Sequence, residues 1–296
     1  MSAAGAERPR FAPEWLELRE PADGAARAPE LLHPLRAAPA AAPAGGPHRT
    51  VIRDLGCGTG SMGRWLAPRL PGPQHWILYD LDPALLARAQ ERMPAAAADG
   101  SGVTATTERG DLARLTAAAL AGTSLVTASA LLDLLTREEV EGLAGACTGA
   151  GCPALLALSV AGHVELAPYD PLDDEIGAAF NDHQRRTDGG RRLLGPDAVA
   201  VATAAFARRG ATVMTRPSPW RLGGPEAPLT AAWLRGWVGA AREQRPALGA
   251  RADAYLGRRL AACAAGELSV TVQHTDLLAL PGPRPGAEST PGGAVR

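Results

Sequence analysis

Ten residues, VIRDLGCGTG at 51–60, narrow the field most for this chain. A short apolar run carries an acid, Asp54, into three glycines spaced two apart. Such a run is a buried strand, and glycines directly after a strand let the backbone turn tightly and come close to a ligand. The same rhythm then repeats. Strands are expected at 50–55, 75–80, 103–108, 124–129 and 154–160, with helical stretches between them. Asp82-Pro83 opens one helix as an N-cap acid followed by proline, and Thr136 with Glu139 forms a capping box for another at 137–147. Alternation of this kind predicts a doubly wound, mostly parallel α/β sheet with helices on both faces. Two further strands, at 211–215 and 267–280, follow one another without a clear crossover helix. They predict an antiparallel edge strand on a seven-stranded sheet, with helical cap insertions.

This gives a domain plan. Residues 1–10 and 281–296 are expected to be disordered tails, rich in Pro and Gly without apolar periodicity. Residues 11–48 form an N-terminal helical cap and a linker, APAAAPAGGP at 38–47. The main domain spans 49–280, with insertions at 163–195 and 217–262. The chain of 296 residues has a formal net charge of -1, which leaves no electrostatic footprint for nucleic acid. All its basic residues are arginine, which fits coding bias in a GC-rich genome. Four cysteines form no CxxC pair, so zinc and disulfide frameworks are not expected. No secretory signal and no uninterrupted apolar run of membrane-spanning length is found, so a cytoplasmic protein is expected.

The glycines fit two frames. Gly58-Thr59-Gly60-Ser61-Met62-Gly63 satisfies G-x-G-x-x-G, the dinucleotide fingerprint, and keeps an NAD-dependent oxidoreductase as an alternative. Gly56-Cys57-Gly58-Thr59-Gly60 satisfies G-x-G-x-G with Asp54 ahead of it. An acid beside a pyrophosphate would repel it, whereas a cationic ligand would welcome it, so the second frame is preferred.

In that frame D-L-G-C-G-T-G resembles the first motif of class I S-adenosylmethionine-dependent methyltransferases, a Rossmann-like family. Asp80-Leu81-Asp82-Pro83, 20 residues beyond Gly60, is similar to the family's second motif. Gly110-Asp111-Leu112 is similar to the third, and Ser129-Ala130-Leu131-Leu132-Asp133 falls at the end of the fourth strand. The resemblance covers about 50–160 and, more weakly, the chain to 280. It implies S-adenosyl-L-methionine as cofactor, held by Asp54, Gly56, Gly58, Gly60, Asp80, Leu81, Asp111, Leu112 and Ser129. It also implies that Asp80 accepts from the ribose hydroxyls, that Asp111 faces the adenine amine, and that the fourth strand opens on the methyl group. Asp82 is open to a capping role, and Asp54 either holds loop amides or meets the ligand's ammonium.

The acceptor is expected at the carboxyl edge of the sheet, between the first and fourth strands. Both insertions begin where a strand ends, so they are expected to wall this region, the 163–195 segment as a lid with Asn181, His183 and Arg185. His163 and His183 are the candidate bases. Arg19 and Asp23 are candidate lid or cofactor contacts, with a surface ion pair as the other reading. Trp233 and Trp237 are read as core of the helical insertion, with a substrate cage as the other reading. No Asn/Asp-Pro-Pro-aromatic motif or Pro-Cys pair stands at the fourth strand, which argues against base methylation. No clear carboxylate set marks a cation-dependent enzyme, with Asp133, Asn181 and Asp182 the residues to watch, and no metal is expected. A small-molecule acceptor for O- or N-methylation is expected, with a non-catalytic cofactor-binding protein as a further alternative.

Overall fold

The computed structural model describes residues 12–37 and 49–282. The expectations for 1–10, for the 38–47 linker and for the tail from 283 onward lie outside the described residues.

Helix α1 (Pro13–Ala26) starts with proline in its first turn and leads through a 3-10 turn into α2 (Leu32–Ala37). The strand–helix alternation follows. It comprises β1 (Thr50–Leu55), α3 (Ser61–Leu66), β2 (Gln74–Asp80), α4 (Pro83–Glu91), β3 (Val103–Arg109), β4 (Leu125–Ser129), α5 (Arg137–Ala150) and β5 (Ala154–Ala167). Local chemistry sets the boundaries. The Asp82 carboxylate accepts from Ala84 N to cap α4. Thr136 and Glu139 close a reciprocal capping box on α5, which ends on the left-handed Gly151.

The second half holds α6 (Leu172–Gln184), a small hairpin of β6 (Thr187–Asp188) and β7 (Arg191–Arg192), and α7 (Ala198–Ala207). After these come β8 (Thr212–Pro217), β9 (Trp220–Leu222), α8 (Ala227–Gln244), α9 (Gly249–Ala264) and β10 (Ser269–Leu280). The main sheet runs β3-β2-β1-β4-β5-β10-β8. Its first five strands pair in parallel, and β10 is antiparallel to both β5 and β8. The expected antiparallel strand is thus present near this edge, as the penultimate strand with β8 outside it. An eighth, short strand, β9, pairs with Val270–Val272, while β8 pairs with Thr275–Leu280. Ser218 and Pro219 divide the two.

Cores lie on both faces of the sheet. One packs Leu55, Val126, Val140 and Phe206 beneath α5 and α7; the other packs Ile52, Trp65, Leu66 and Trp76 beneath α3. Each such fully buried side chain contributes roughly 1.5–3 kcal/mol. Together they hold the carboxyl ends of β1 and β4 side by side, where the strand order reverses.

The 163–195 segment departs from its expected course. Its first residues extend β5: Val164, Glu165 and Leu166 pair with Val272, Thr271 and Val270. Helix α6 then packs on α8, and both join a third core with Ile176, Trp220, Trp233, Trp237 and Tyr255. Trp233 and Trp237 stack with centroids 5.0 Å apart inside this helical layer. Both insertions thus share one cap, built on the extended halves of β5 and β10.

Candidate active site

A cavity of about 660 Å³ opens at the carboxyl ends of β1, β2, β3 and β4. Its floor is the glycine loop. Gly58 has φ +54°, and a Cβ there would stand 3.2 Å from Leu16 Cδ1 of α1, so a side chain would press on the facing wall of the cleft. Gly60 serves the turn instead. Its φ is +86°, and a Cβ would press on Ala89 of α4 at 3.2 Å; Gly60 does not line the cavity, whereas Gly56 and Gly58 do.

Asp54 is 1% exposed at the end of β1. Its Oδ1 accepts from Thr127 Oγ1 of β4 at 2.7 Å, and its Oδ2 has no partner. No loop amide donates to it. Burial pushes its carboxyl up to about 7, against the Thr127 hydrogen bond and the nearby Arg27 cation. A buried carboxylate oxygen left without a donor calls for a cation or a proton.

Asp80 ends β2. Its Oδ2 accepts from Gly58 N at 2.9 Å and its Oδ1 from Asp82 N at 3.0 Å, which ties the loop to the second strand. Each oxygen keeps a further acceptor site for a ligand hydroxyl. Asp111 accepts from Ala113 N at 3.0 Å, and with Leu112 it lines the cavity near Leu81, which is 38% exposed at the rim. Ser129 lines the cavity at the end of β4. Cys57 also lines it, but burial, Asp54 and Asp80 push its thiol well above the ordinary range, so it stays protonated and poorly nucleophilic.

Helix α1 supplies the facing wall with Leu16, Arg19 and Asp23. Arg19 is bonded to both carboxylate oxygens of Asp23 and lies over the Trp220 ring at 4.9 Å. Asp23 also accepts from Trp220 Nε1 at 2.9 Å. The pair is therefore set into the wall and is not a surface ion pair. Leu131, Leu134 and Leu135 form an apolar flank after β4. Sequence reading named Arg19, Asp23 and Leu131 but missed Leu16, Tyr79, Leu134 and Leu135; the leucines around Asp133 at 131–135 were the available signal.

Both candidate bases lie elsewhere. His163 is on the exposed face of β5, with Nε2 3.0 Å from Glu165 Oε1. His183 packs against α8, with Nε2 3.2 Å from Glu243 Oε2. Burial and Arg186 hold it below its ordinary range. Asn181 donates to Gly162 O, and Arg185 pairs with Asp197. Of the 163–195 segment only Arg191 reaches the cavity, where it is held by Glu139. The lid assignment fails because β5 runs past the expected end and carries the segment away from the cleft. Asp133, Asn181 and Asp182 are not brought together, and among the described residues no group of three or more His, Cys, Asp or Glu is arranged to hold a metal ion. Among the same residues no helix is long and apolar enough to cross a membrane.

Residues 52–150, which carry all four motifs, match the family model described as a methyltransferase domain. That match supports an S-adenosylmethionine-dependent methyltransferase, with S-adenosyl-L-methionine as its cofactor. No curated protein matches the sequence. Solved structures resemble it at a distance. One is the YcgJ protein from Bacillus subtilis, at 14% identity over 86% of this chain and 98% of that one, with a TM-score of 0.43. Another is a SAM-dependent methyltransferase from Thiobacillus denitrificans in complex with S-adenosylhomocysteine, at 18% over 91% and 99%, with a TM-score of 0.41. A third, from Methanosarcina mazei, has 10% identity over 78% and 92%, with a TM-score of 0.45. Superpositions this loose carry no residue-level correspondence.

Proposed function

We propose that this enzyme methylates a small molecule at oxygen or nitrogen, with the acceptor bound between α1 and the turn after β4. The observation that supports this most is the shape of the cleft. Helix α1 faces the glycine loop across it, and its volume lies in the range typical of small-molecule sites. The residues present fit the cofactor: Asp54 offers a bare carboxylate oxygen to an ammonium, Asp80 offers acceptors to ribose hydroxyls, and Asp111 stands where it can face the adenine amine.

The cofactor supplies a methyl group activated by its sulfonium. The chain's own residues contribute orientation and exclusion of water. Leu16 and Leu131, Leu134 and Leu135 present an apolar boundary on which an acceptor can be held dry against the donor. Neither histidine stands where it can take a proton from an acceptor in this cleft. An acceptor that arrives as a free amine or an anionic oxygen requires no protein base.

The test has two stages. Saturable binding of S-adenosylhomocysteine, without binding of NAD, supports the cofactor reading. Methyl-donor turnover is then measured against a panel of small phenols, amines and carboxylates, with oligonucleotides and protein substrates as controls. Turnover confined to the polymer controls would refute the acceptor class.

A further inference from the structure

Arg27, just after α1, is 3% exposed and lies over the Trp65 ring of α3 at 5.6 Å. Its Nη2 donates to Ser61 Oγ at 2.9 Å and to Ser129 Oγ at 3.0 Å. Both serines line the cavity, one at the start of α3 and the other at the end of β4. A guanidinium only donates, so each serine oxygen receives a hydrogen bond and its own proton must point elsewhere. Among the described residues neither hydroxyl donates to a protein group. Two O–H donors are thereby available to the cavity, with a buried positive charge behind them.

The charge balance is incomplete. Among the described residues no carboxylate lies within ion-pair distance of Arg27, and its Nε is buried without a partner. The acids around it are engaged otherwise. Asp23 is bonded to Arg19 and Trp220, and Asp276 accepts from Ala28 N and Leu158 N. Asp54 lines the cavity and accepts from Thr127 Oγ1, and its only link to Arg27 is through space. A buried cation of this kind calls for an anion. Arg19, the other cation on the α1 wall, already has Nε and one terminal nitrogen on Asp23.

We propose that Arg27, acting through the hydroxyls of Ser61 and Ser129, builds the subsite for the carboxylate at the amino-acid end of the cofactor. This rests on the cofactor reading above and deepens it. Asp54 takes the ammonium and the Arg27–serine relay takes the carboxylate, so the zwitterion is read at both ends. Arg27 is a positioning residue: it fixes the direction of two hydroxyls and supplies their field. The subsite selects an intact methionine end over shortened adenosine sulfides.

Calorimetric titration of the full chain with S-adenosylhomocysteine and with its decarboxylated analogue, which keeps the amine, tests this. The wild type should prefer the intact ligand by about 10- to 100-fold, the range for charge-assisted hydrogen bonds. Arg27→Met, and separately the pair Ser61→Ala with Ser129→Ala, should bring that preference close to one while affinity for the analogue changes less than about twofold. Arg27→Lys should recover part of it, since an ammonium keeps the charge without the fork. An unchanged preference in the serine pair, or equal losses for both ligands, overturns the proposal. If Arg27→Met does not fold, the serine pair decides alone. A wild type that binds neither ligand refutes the cofactor reading itself; one that binds both equally refutes only the carboxylate subsite.

Discussion

Asp54 gives an expectation with opposite signs for binding and for stability. Its carboxyl titrates at about 7 in the folded chain, against an ordinary value of 3.8. At pH 6 about nine-tenths of unliganded molecules therefore hold it protonated. A cofactor ammonium at Oδ2 requires the carboxylate, so binding at pH 6 should release about 0.9 proton, and affinity should rise by up to about tenfold per pH unit from 5 towards 7. In that range an α-amino group, with an ordinary pKa of about 7.7–8.0, stays charged and adds no slope of its own. For folding the sign reverses. The folded form binds the proton more tightly than the unfolded form, so stability falls as pH rises from about 4 to 7. The loss is on the order of 4 kcal/mol above pH 7. Asp54→Asn should thus stabilise the unliganded protein at pH 8 and have little effect at pH 4, provided its amide oxygen keeps the bond from Thr127. The same substitution should weaken cofactor binding by about 10- to 100-fold and abolish its pH dependence. Calorimetry in two buffers of different ionisation enthalpy reads the proton count, and urea denaturation at both pH values reads the stability. No proton release at pH 6, or an Asp54→Asn protein less stable than its parent at pH 8, would refute the reasoning.

Gly58→Val should remove cofactor binding while leaving a folded chain by circular dichroism, because its side chain would meet Leu16 and occupy the cleft; normal binding would place the ligand elsewhere. Asp80→Asn should weaken S-adenosylhomocysteine by about 1.5–3 kcal/mol in titration, since a charged acceptor is lost. His163→Ala and His183→Ala should each leave kcat within about threefold of the parent, and a drop of about 100-fold in either would return that histidine to the reaction. Arg259→Met should destabilise the cap by about 3–5 kcal/mol in urea unfolding, because it strands the Asp173 carboxylate, which is buried and bonded to Arg259 and Tyr255.

The gathering of Asp54, Gly56, Gly58, Asp80, Asp111 and Ser129 at one cavity was legible because its determinants are local. A strand, a glycine turn and an acid at the end of the next strand occupy one continuous stretch, and the backbone sets their relative placement. The histidines show where local reading stops. From sequence His163 follows a finished strand, because Gly162 interrupts the apolar run. In the structure exposure alternates from Val160 to Leu166, and β10 supplies hydrogen bonds along this extension. Period-two alternation through VAGHVEL was the signal for a continuing strand, but the partner that makes it a strand lies more than a hundred residues on. The same distance hid what seats the α1 wall, although its Arg19 and Asp23 are candidates from the sequence. Asp23 meets Trp220 across 197 positions, Ala28 meets Asp276 across 248, and Arg27 meets Ser129 across 102.

Those contacts explain why no motif marks α1 although it supplies a wall of the cleft. Its seat is assembled from single long-range pairings. Glu17 reaches Arg88 and Arg92 of α4 and the residue after it, and Glu20 is bonded twice to Arg64 of α3. Trp65 Nε1 donates to Gly24 O. The exposed pairs contribute little each, about 0–1 kcal/mol. The half-buried Glu20–Arg64 pair and the buried Arg27 and Asp23 bonds carry most of the attachment. They attach α1 both to α3, which follows the glycine loop, and, through Trp220, to the helical cap. The cap therefore bears on the acceptor side indirectly: Trp220 braces Arg19 and Asp23, and α1 in turn presents Leu16 to the glycine loop. On this view the insertion at 217–262, which contributes no side chain to the cavity lining, still helps to determine how closely its wall stands to the reacting groups.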